Sequence, residues 1–278
     1  MVEVVLSNNL TKIAYSVFSD CTNLIKIEVP SSVKEIESNA FSNCDKLTKI
    51  PGLNSITSIG QSSFSNCDGL TYVTIPNTVT SIGNSAFSNC SRLRSITFPN
   101  SITKIPESVC NNCDDLWDVT IPNTITSIGN SAFSSCSALE DISMPNTLTS
   151  IGNSAFSWCT MLKNFTIPNT VISIGSSAFK GCSKLSTIEI PASVTSIGEG
   201  AFSTCSLLKT ILINGGDIAC NLNSYSSSGS IMSNAISIYI KTGLEVTNST
   251  YLLENFKKQE TIYLEGYELY LKNGYKIQ

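Results

Sequence analysis

Apolar residues recur along this chain at a fixed interval of 23 positions. Counting each unit from a cysteine as position 0, position 3 is always leucine and position 6 is isoleucine, valine or phenylalanine. The cysteines that set this count are Cys21, Cys44, Cys67, Cys90, Cys113, Cys136, Cys159, Cys182 and Cys205. A fixed period of about 20 to 50 residues indicates a solenoid, a propeller or another repeat array. Because a propeller blade needs four strands, a 23-residue unit predicts a solenoid.

Each unit contains two short extended segments. The pattern L-x-x-I-x-I alternates at positions 6 and 8, as in a half-buried strand, and a proline at position 9 ends it because proline has no amide proton to donate. The segment V-T-S-I-G follows as a second short strand, and A-F-x-x-C is predicted as a helical turn. We therefore expect a mainly β, right-handed stack of about nine coils, spaced about 4.8 Å apart, with one long parallel sheet.

The repeat divides the chain into two predicted parts. Residues 1–213 follow the 23-residue pattern and are predicted to form the solenoid. Residues 214–278 do not follow it and are predicted to form a C-terminal capping segment, with Ile236, Ile238 and Ile240 on its last strand.

The charge balance excludes several classes of function. The chain has 278 residues, of which 14% are charged, and its net charge is −4. Because it contains no basic run, we expect no binding to nucleic acid. No apolar stretch is long enough to cross a bilayer, so membrane insertion is not expected. The segment MVEVVLSNNL lacks the basic and apolar regions of a signal peptide.

The composition offers little catalytic chemistry. There is no histidine, which removes the commonest general base and metal ligand. Cys110 and Cys113 form a lone C-x-x-C pair, and core packing explains it better than zinc or redox chemistry, since Cys113 belongs to the repeat. The recurring cysteines are expected to be buried free thiols, because eleven cysteines cannot all be paired. We expect no enzyme activity, no cofactor and no metal.

The unit resembles a known repeat class. Its L-x-x-I-x-I segment is similar to the L-x-x-L-x-L of leucine-rich repeats, although the usual Asn or Cys after the strand is missing. The I-P, V-T-S-I-G and A-F-x-x-C elements over about residues 1–213 resemble the BspA-like leucine-rich repeat class. That resemblance implies a protein of the cell surface that binds host or partner proteins, as members from bacteria and mucosal protozoa do.

Positions 5 and 7 flank the inward side chain at position 6, so both are expected to face outward from the main sheet. Position 5 changes along the array from lysine through tyrosine to aspartate. The Thr-rich position 7 is explained by β-propensity rather than by recognition. An outward strip of this kind offers a protein partner a long flat surface rather than a pocket.

Binding residues are sought where the repeat is broken, because core positions must be kept for stacking. The candidate partner-binding residues are Tyr72, Trp117, Asp118, Asp141, Trp158 and Met161. Two alternatives remain open at this point. The rings of the tryptophans could simply pack on adjacent coils, and the acidic residues could form a solvated rim.

Two function classes follow from these observations. The first is a non-enzymatic surface adhesion module, extracellular or on the cell surface, that binds a host-cell or extracellular-matrix protein. The second is a cytoplasmic interaction scaffold, which the missing signal peptide and the reduced thiols favour. The family resemblance and the abundance of Ser, Thr and Asn favour the first, and a monomer is expected.

Overall fold

The computed structural model describes residues 3–50 and 52–213, and the short strands at 219–220, 237–240 and 261–263. For the strand residues 210, 211 and 213 and for those three late strands, only the backbone is described. The described chain is a solenoid of parallel strands in which every turn between Cys21 and Cys205 has the same length. This confirms the predicted fold class.

The main column of strands lies at positions 5 to 7 of the coils. Numbered along the whole chain, its strands are β1 (Glu3–Val5), β3 (Lys26–Glu28), β6 (Tyr72–Thr74), β8 (Ser95–Thr97), β10 (Asp118–Thr120), β14 (Thr187–Ile190), β16 (Thr210–Ile213), β18 (Ser237–Ile240) and β19 (Thr261–Tyr263). All pairings in this column are parallel, and those up to β16 join equivalent positions of the repeat, as in the pairing of Val73 with Ile96. The predicted outward and inward positions are seen where burial alternates, in β3, β6 and β14.

A second column of two-residue strands lies at positions 14 and 15. Its members are β2 (Lys12–Ile13), β4 (Glu35–Ile36), β5 (Ser58–Ile59), β7 (Ser81–Ile82), β9 (Lys104–Ile105), β11 (Ser127–Ile128), β12 (Ser150–Ile151), β13 (Ser173–Ile174), β15 (Ser196–Ile197) and β17 (Ala219–Cys220). The column breaks between β7 and β9. In other coils the amide at position 16 donates to the carbonyl of the isoleucine one coil earlier. In the coil of β9 this position is Pro106, which has no amide proton to donate, so the bond to β7 is missing.

The predicted long parallel sheet and the predicted short second strands are both present, as two columns of strands that are each interrupted. In the main column, β1 and β3 form one sheet, β6, β8 and β10 a second, and β14, β16, β18 and β19 a third. Isolated bridges, Lys26 to Lys49 and Asp141 to Asn164, mark coils whose pairing is too short to form a strand. The break after β10 matters most for function, because it falls within the candidate surface.

The C-terminal prediction requires one correction. Strand β18 contains Ile238 and Ile240 as predicted, whereas Ile236 lies outside the described residues. This strand is not the last one, because Thr261–Tyr263 pairs with it as β19. The division at residue 213 stays a prediction.

The core is a set of columns of identical side chains. Leucine at position 3, isoleucine at position 15 apart from the partly buried Ile82, and the cysteines from Cys44 to Cys205 are almost fully buried. The position-20 phenylalanines stack face to face with their centroids 5.3 to 5.6 Å apart, first from Phe18 to Phe87 and again from Phe133 to Phe202. Cys110 interrupts the stack, and the ring of Phe98 packs edge-on against Phe133 beside that gap.

The A-F-x-x-C segment is not the helical turn that its sequence predicts. Positions 18 and 22 are in the left-handed region in coil after coil, with φ between 50° and 74°. Amides at positions 18, 20 and 22 donate to the next coil, and those at 19 and 21 bond three residues back. A left-handed residue every four positions prevents a helix from propagating. Among the described residues, the one helix is a single 3₁₀ turn, Leu53–Ser55.

The thiols bond from coil to coil. Each cysteine from Cys44 to Cys205 donates its Sγ–H to the carbonyl of the position-20 residue that lies 26 residues earlier in the chain, at 3.0 to 3.2 Å. All ten described thiols are free. Burial raises the pKa of Cys44 and Cys159 to about 12 and that of Cys205 to about 11. These groups are therefore neutral structural side chains rather than reactive thiolates.

Candidate protein-binding surface

The outward positions of the main column form the sheet face, which we define as positions 4, 5 and 7 of the coils. In strands β3, β6 and β14 the burial alternates, with positions 5 and 7 exposed and position 6 buried. Because each coil adds one strand at a spacing of about 4.8 Å, the side chains at one position follow one another in a line. The face therefore presents columns of single side chains.

The structure brings four of the six candidate residues onto this sheet face. Tyr72 and Trp117 are exposed, with 62% and 54% of their surface accessible, and Asp118 and Asp141 are exposed as well. Such rings on a surface rich in Ser and Thr are not needed for stacking, which supports a role in binding.

A split in the sheet runs between β10 and the next coil. Within the described part of the chain, β10 has no strand partner on that side, and residues 142–144 are not in a strand. Asp118 and Asp141 stand at the same position on the two sides of the split. Like charges directly opposite each other disfavour close pairing of two strands, so the two carboxylates weaken pairing at this point.

Two adjoining grooves open at this split. One, of about 460 Å³, is lined by Trp117, Ala138, Glu140 and Asp141. The other, of about 330 Å³, lies between Asp118–Ile121 and Asp141–Ser143. They share Asp141, and the partly buried Val119 and Ile121 contribute apolar surface to the second. Together they form a shallow, acidic depression with an indole at its rim, which we call the split groove.

Of the three carboxylates of the split groove, Glu140 forms an ion pair and Asp118 and Asp141 form none with the described residues. The hydroxyl of Ser95 donates to Asp118 at 2.7 Å, and the amide of Asn164 donates to Asp141 at 3.1 Å. Lys163 is 2.7 Å from Glu140, and this hydrogen bond raises the pKa of the lysine. Among the described residues, no lysine or arginine forms an ion pair with Asp118 or Asp141. The groove therefore has negative charge available for a partner.

Trp158 and Met161 lie elsewhere. Trp158 occupies position 22, at the turn before the sheet, with φ 62° and 48% of its surface exposed. Its ring lies over Gly181, so it is partly a packing residue, as one alternative had proposed. Met161 is half-buried at position 2 and lines neither groove. The structure does not join this pair to the split groove.

Two residues of the split groove are not among the candidates that the sequence predicts. Glu140 and Ala138 line the groove beside Trp117 and Asp141. Glu140 could have been found because it is an acidic residue directly before Asp141 in the sequence, whereas Ala138 carries no signal. In the part of the chain that the structure describes, no group of three or more acidic or sulfur ligands is arranged to hold a metal ion.

Comparison with known families decides what kind of repeat this is. The model for BspA type leucine rich repeat regions matches six copies over residues 1–116 and 103–232. The chain belongs to the BspA-type leucine-rich repeat family. Leucine-rich repeat proteins are protein-interaction modules and are generally not enzymes, so the fold of this BspA-type protein is suited to binding. Within the described ranges, no helix is long and apolar enough to span a bilayer.

Solved structures share the fold of this BspA-type chain. A leucine-rich repeat protein from Bacteroides ovatus is 22% identical, with a TM-score of 0.66 over 95% of this chain and 92% of the other. The pneumococcal vaccine antigen PcpA is 22% identical, with a TM-score of 0.57 over 88% and 68% of the two chains. A leucine-rich repeat protein from Eubacterium ventriosum is 20% identical, with a TM-score of 0.51 over 88% and 74%. No curated protein matches the chain significantly.

Proposed function

We propose that this protein is a non-enzymatic binding module that docks a protein partner on its sheet face, centred on the split groove. The observation that carries the proposal is the grouping of an exposed indole, Trp117, with Asp118 and Asp141 at a break in the sheet. An aromatic ring beside an apolar groove floor and uncompensated carboxylates has the composition of a binding hot spot with a charged rim.

The energetics favour the same surface. Truncating a central aromatic in a protein interface costs about 2 kcal/mol or more. Trp117 has no partner ring among the described aromatic contacts, so its removal should leave the stack intact. Tyr72 extends the surface two coils toward the N-terminus. Trp158 and Met161 would contact a partner only if it also reached the neighbouring turn.

The test is an affinity measurement with matched variants. Immobilised protein captures partners from host-cell and matrix extracts, and the affinity of a captured partner is then measured for each variant. Trp117→Ser combined with Asp118→Asn and Asp141→Asn should weaken binding at least tenfold, or about 1.4 kcal/mol. Tyr15→Ser removes a similarly exposed ring away from the sheet face and should bind normally. Equal affinity for wild type and the triple variant would reject the sheet face.

We further propose that the protein acts at the cell surface or outside the cell, as an adhesion protein for a host-cell or matrix protein. The family supports this, whereas the ten free thiols favour the second candidate, a cytoplasmic scaffold. Labelling intact producing cells with a membrane-impermeant reagent distinguishes them. Labelled protein supports the surface assignment, and label confined to lysed cells supports the scaffold.

A further inference from the structure

One column of the sheet face changes charge in a symmetrical order. Numbering coils from the cysteine that starts each one, with Cys21 as coil 1, position 5 reads Lys26, Lys49, Tyr72, Ser95, Asp118 and Asp141. Pairings place Lys26 next to Lys49, and Ser95 between Tyr72 and Asp118. Asp141 follows Asp118 across the split. Two cations therefore stand at one end of this line and two anions at the other.

The charges at both ends remain available. Lys49 and the two aspartates have no ion-pair partner among the described residues. Lys26 is 2.7 Å from Glu28 and 3.7 Å from Glu3. These pairs are solvent-exposed, and exposed ion pairs contribute little stability, so Lys26 can share or exchange its partner.

We propose that two copies of this chain associate face to face through positions 4, 5 and 7 of coils 1 to 6, with the coil order reversed. A two-fold axis parallel to the strands, between Tyr72 and Ser95, relates the copies. It places Lys26 opposite Asp141 of the second copy and Lys49 opposite Asp118 of the second copy. Each contact occurs twice, as in any isologous interface.

The flanking columns agree with the same axis. At position 4, Trp117 meets Thr48 of the second copy, beside the ammonium group of Lys49, where an indole face attracts a cation. At position 7, the pairs include Glu28 with Ser143 and Thr74 with Thr97, neither of which joins like charges. At position 2, just outside the face, Lys46 meets Asp115 of the second copy. The like-charged match, Asp45 with Asp114, falls at the turn before the strands.

The size of the contact sets the expected affinity. Six coils at about 4.8 Å, across the four residues from position 4 to position 7 at about 3.3 Å each, give about 400 Å² on each copy. The total of about 800 Å² is below the area that stable, specific interfaces usually bury, and lies in the range of weak association. We expect a weak dimer that dissociates as salt screens the exposed pairs. It differs from the monomer expected from the sequence alone, and it would cover Trp117 and so compete with binding of another protein.

Sedimentation equilibrium of the purified chain tests this directly. The wild type should show a concentration-dependent dimer at low salt, with at least tenfold weaker association at 0.5 M salt, where the Debye length falls to about 4 Å. The double variants Lys26→Asp with Lys49→Asp, and Asp118→Lys with Asp141→Lys, should each be monomeric. An equimolar mixture of the two should restore a dimer, because every repelling contact becomes attractive.

The control variant carries Lys34→Asp and Lys104→Asp. These changes lower the net charge by the same amount as Lys26→Asp with Lys49→Asp, but they lie away from the sheet face. It should dimerise like the wild type. A wild type that stays monomeric at all concentrations, a dimer insensitive to the face variants, or a mixture that fails to restore association would overturn the proposal. Binding of an oligolysine peptide by a strictly monomeric wild type would instead assign the face to a basic partner. Circular dichroism of each variant verifies that it is folded.

Discussion

The indole ring of Trp158 lies over Gly181, the residue at the same position of the next coil. A Cβ atom built on Gly181 would stand only 2.5 Å from Cε3 of Trp158. Both residues have left-handed backbones, with φ 62° and 74°. Most other coils have Asn, Asp or Ser at this position, and after glycine Asn and Asp tolerate this conformation best. The small residue thus makes room for the large one.

This relationship predicts a coupled effect on stability. Gly181→Asn should destabilise the protein by about 1–3 kcal/mol, because the new side chain must displace the indole. In a Trp158→Asn background the same substitution should be tolerated, since Asn66 and Asn43 already pair in this way at 2.7 Å. Urea unfolding of the four proteins in the cycle measures the coupling, expected to exceed about 0.5 kcal/mol. Additive effects would show that the ring does not occupy the space above Gly181.

A second coupling is predicted in the core between Phe98 and Cys110. Cys110→Phe alone should overpack the core by about 1–3 kcal/mol, because the ring of Phe98 occupies space beside the gap in the stack. Phe98→Ile alone should leave a cavity. The double variant has the residues that are usual at these two positions in the other coils. Its loss of stability should be smaller than the sum of the losses in the two single variants. Thermal unfolding of all four proteins measures these losses. A double variant that loses more stability than the sum of the two single variants would contradict the prediction.

The register of the repeat predicts where charge cannot be placed. Leu139 is fully buried. Leu139→Asp should therefore abolish cooperative unfolding or lower the free energy of unfolding by at least about 2 kcal/mol. Ser143, four residues later in the same coil, is exposed, and Ser143→Asp should change stability by less than about 0.5 kcal/mol. Circular dichroism melting compares them. A folded Leu139→Asp protein with an unchanged melting temperature would disprove the register.

The buried thiols predict a loss of stability at alkaline pH. The folded pKa of Cys159 is about 12, against an ordinary value of 9.0. Unfolded thiols therefore lose protons above about pH 9 while folded ones keep theirs, so stabilisation present below pH 9 is lost as pH rises toward 12. Each such thiol contributes a slope of about −1.4 kcal/mol per pH unit. Between pH 9.5 and 11, the free energy of unfolding of Cys159→Ala should fall less steeply with pH than that of the wild type, by about that amount. An identical slope for the two proteins would contradict the assignment.

Much of this fold could be predicted because stacking forces each coil to keep its core. Leucine, isoleucine and cysteine recur at the same positions of every coil, and these columns indicated the strand positions, the outward face and the buried side chains. Strand β19 was missed because the spacing changes after Ile213. Ser237 pairs with Thr210 and Thr261 pairs with Ser237, and neither interval equals the period of the earlier coils. The left-handed residues were missed as well, although the Asn and Ser columns at positions 18 and 22 were their signal.

The candidate surface could be predicted only in part. Broken repeat positions drew attention to Trp117, Asp118 and Asp141, which the structure places around one groove. The same rule selected Trp158 and Met161, which lie at another part of the coil. A departure from the repeat shows that a residue is not required for stacking, but it does not show which departures are neighbours. The split after β10 lies where two carboxylates stand opposite each other across coils, which only the three-dimensional register makes visible.

Hydroxyl-radical footprinting of the protein with a captured partner tests the binding account most directly, because it reports which side chains the partner covers. The account predicts that oxidation of Trp117 and Tyr72 falls severalfold in the complex, while oxidation of Tyr15, which is 65% exposed, is unchanged. The comparison is made at a protein concentration where sedimentation shows monomer, so that self-association does not add protection. Unchanged oxidation of Trp117 and Tyr72 in a saturated complex would contradict the account and place the binding surface elsewhere on the solenoid.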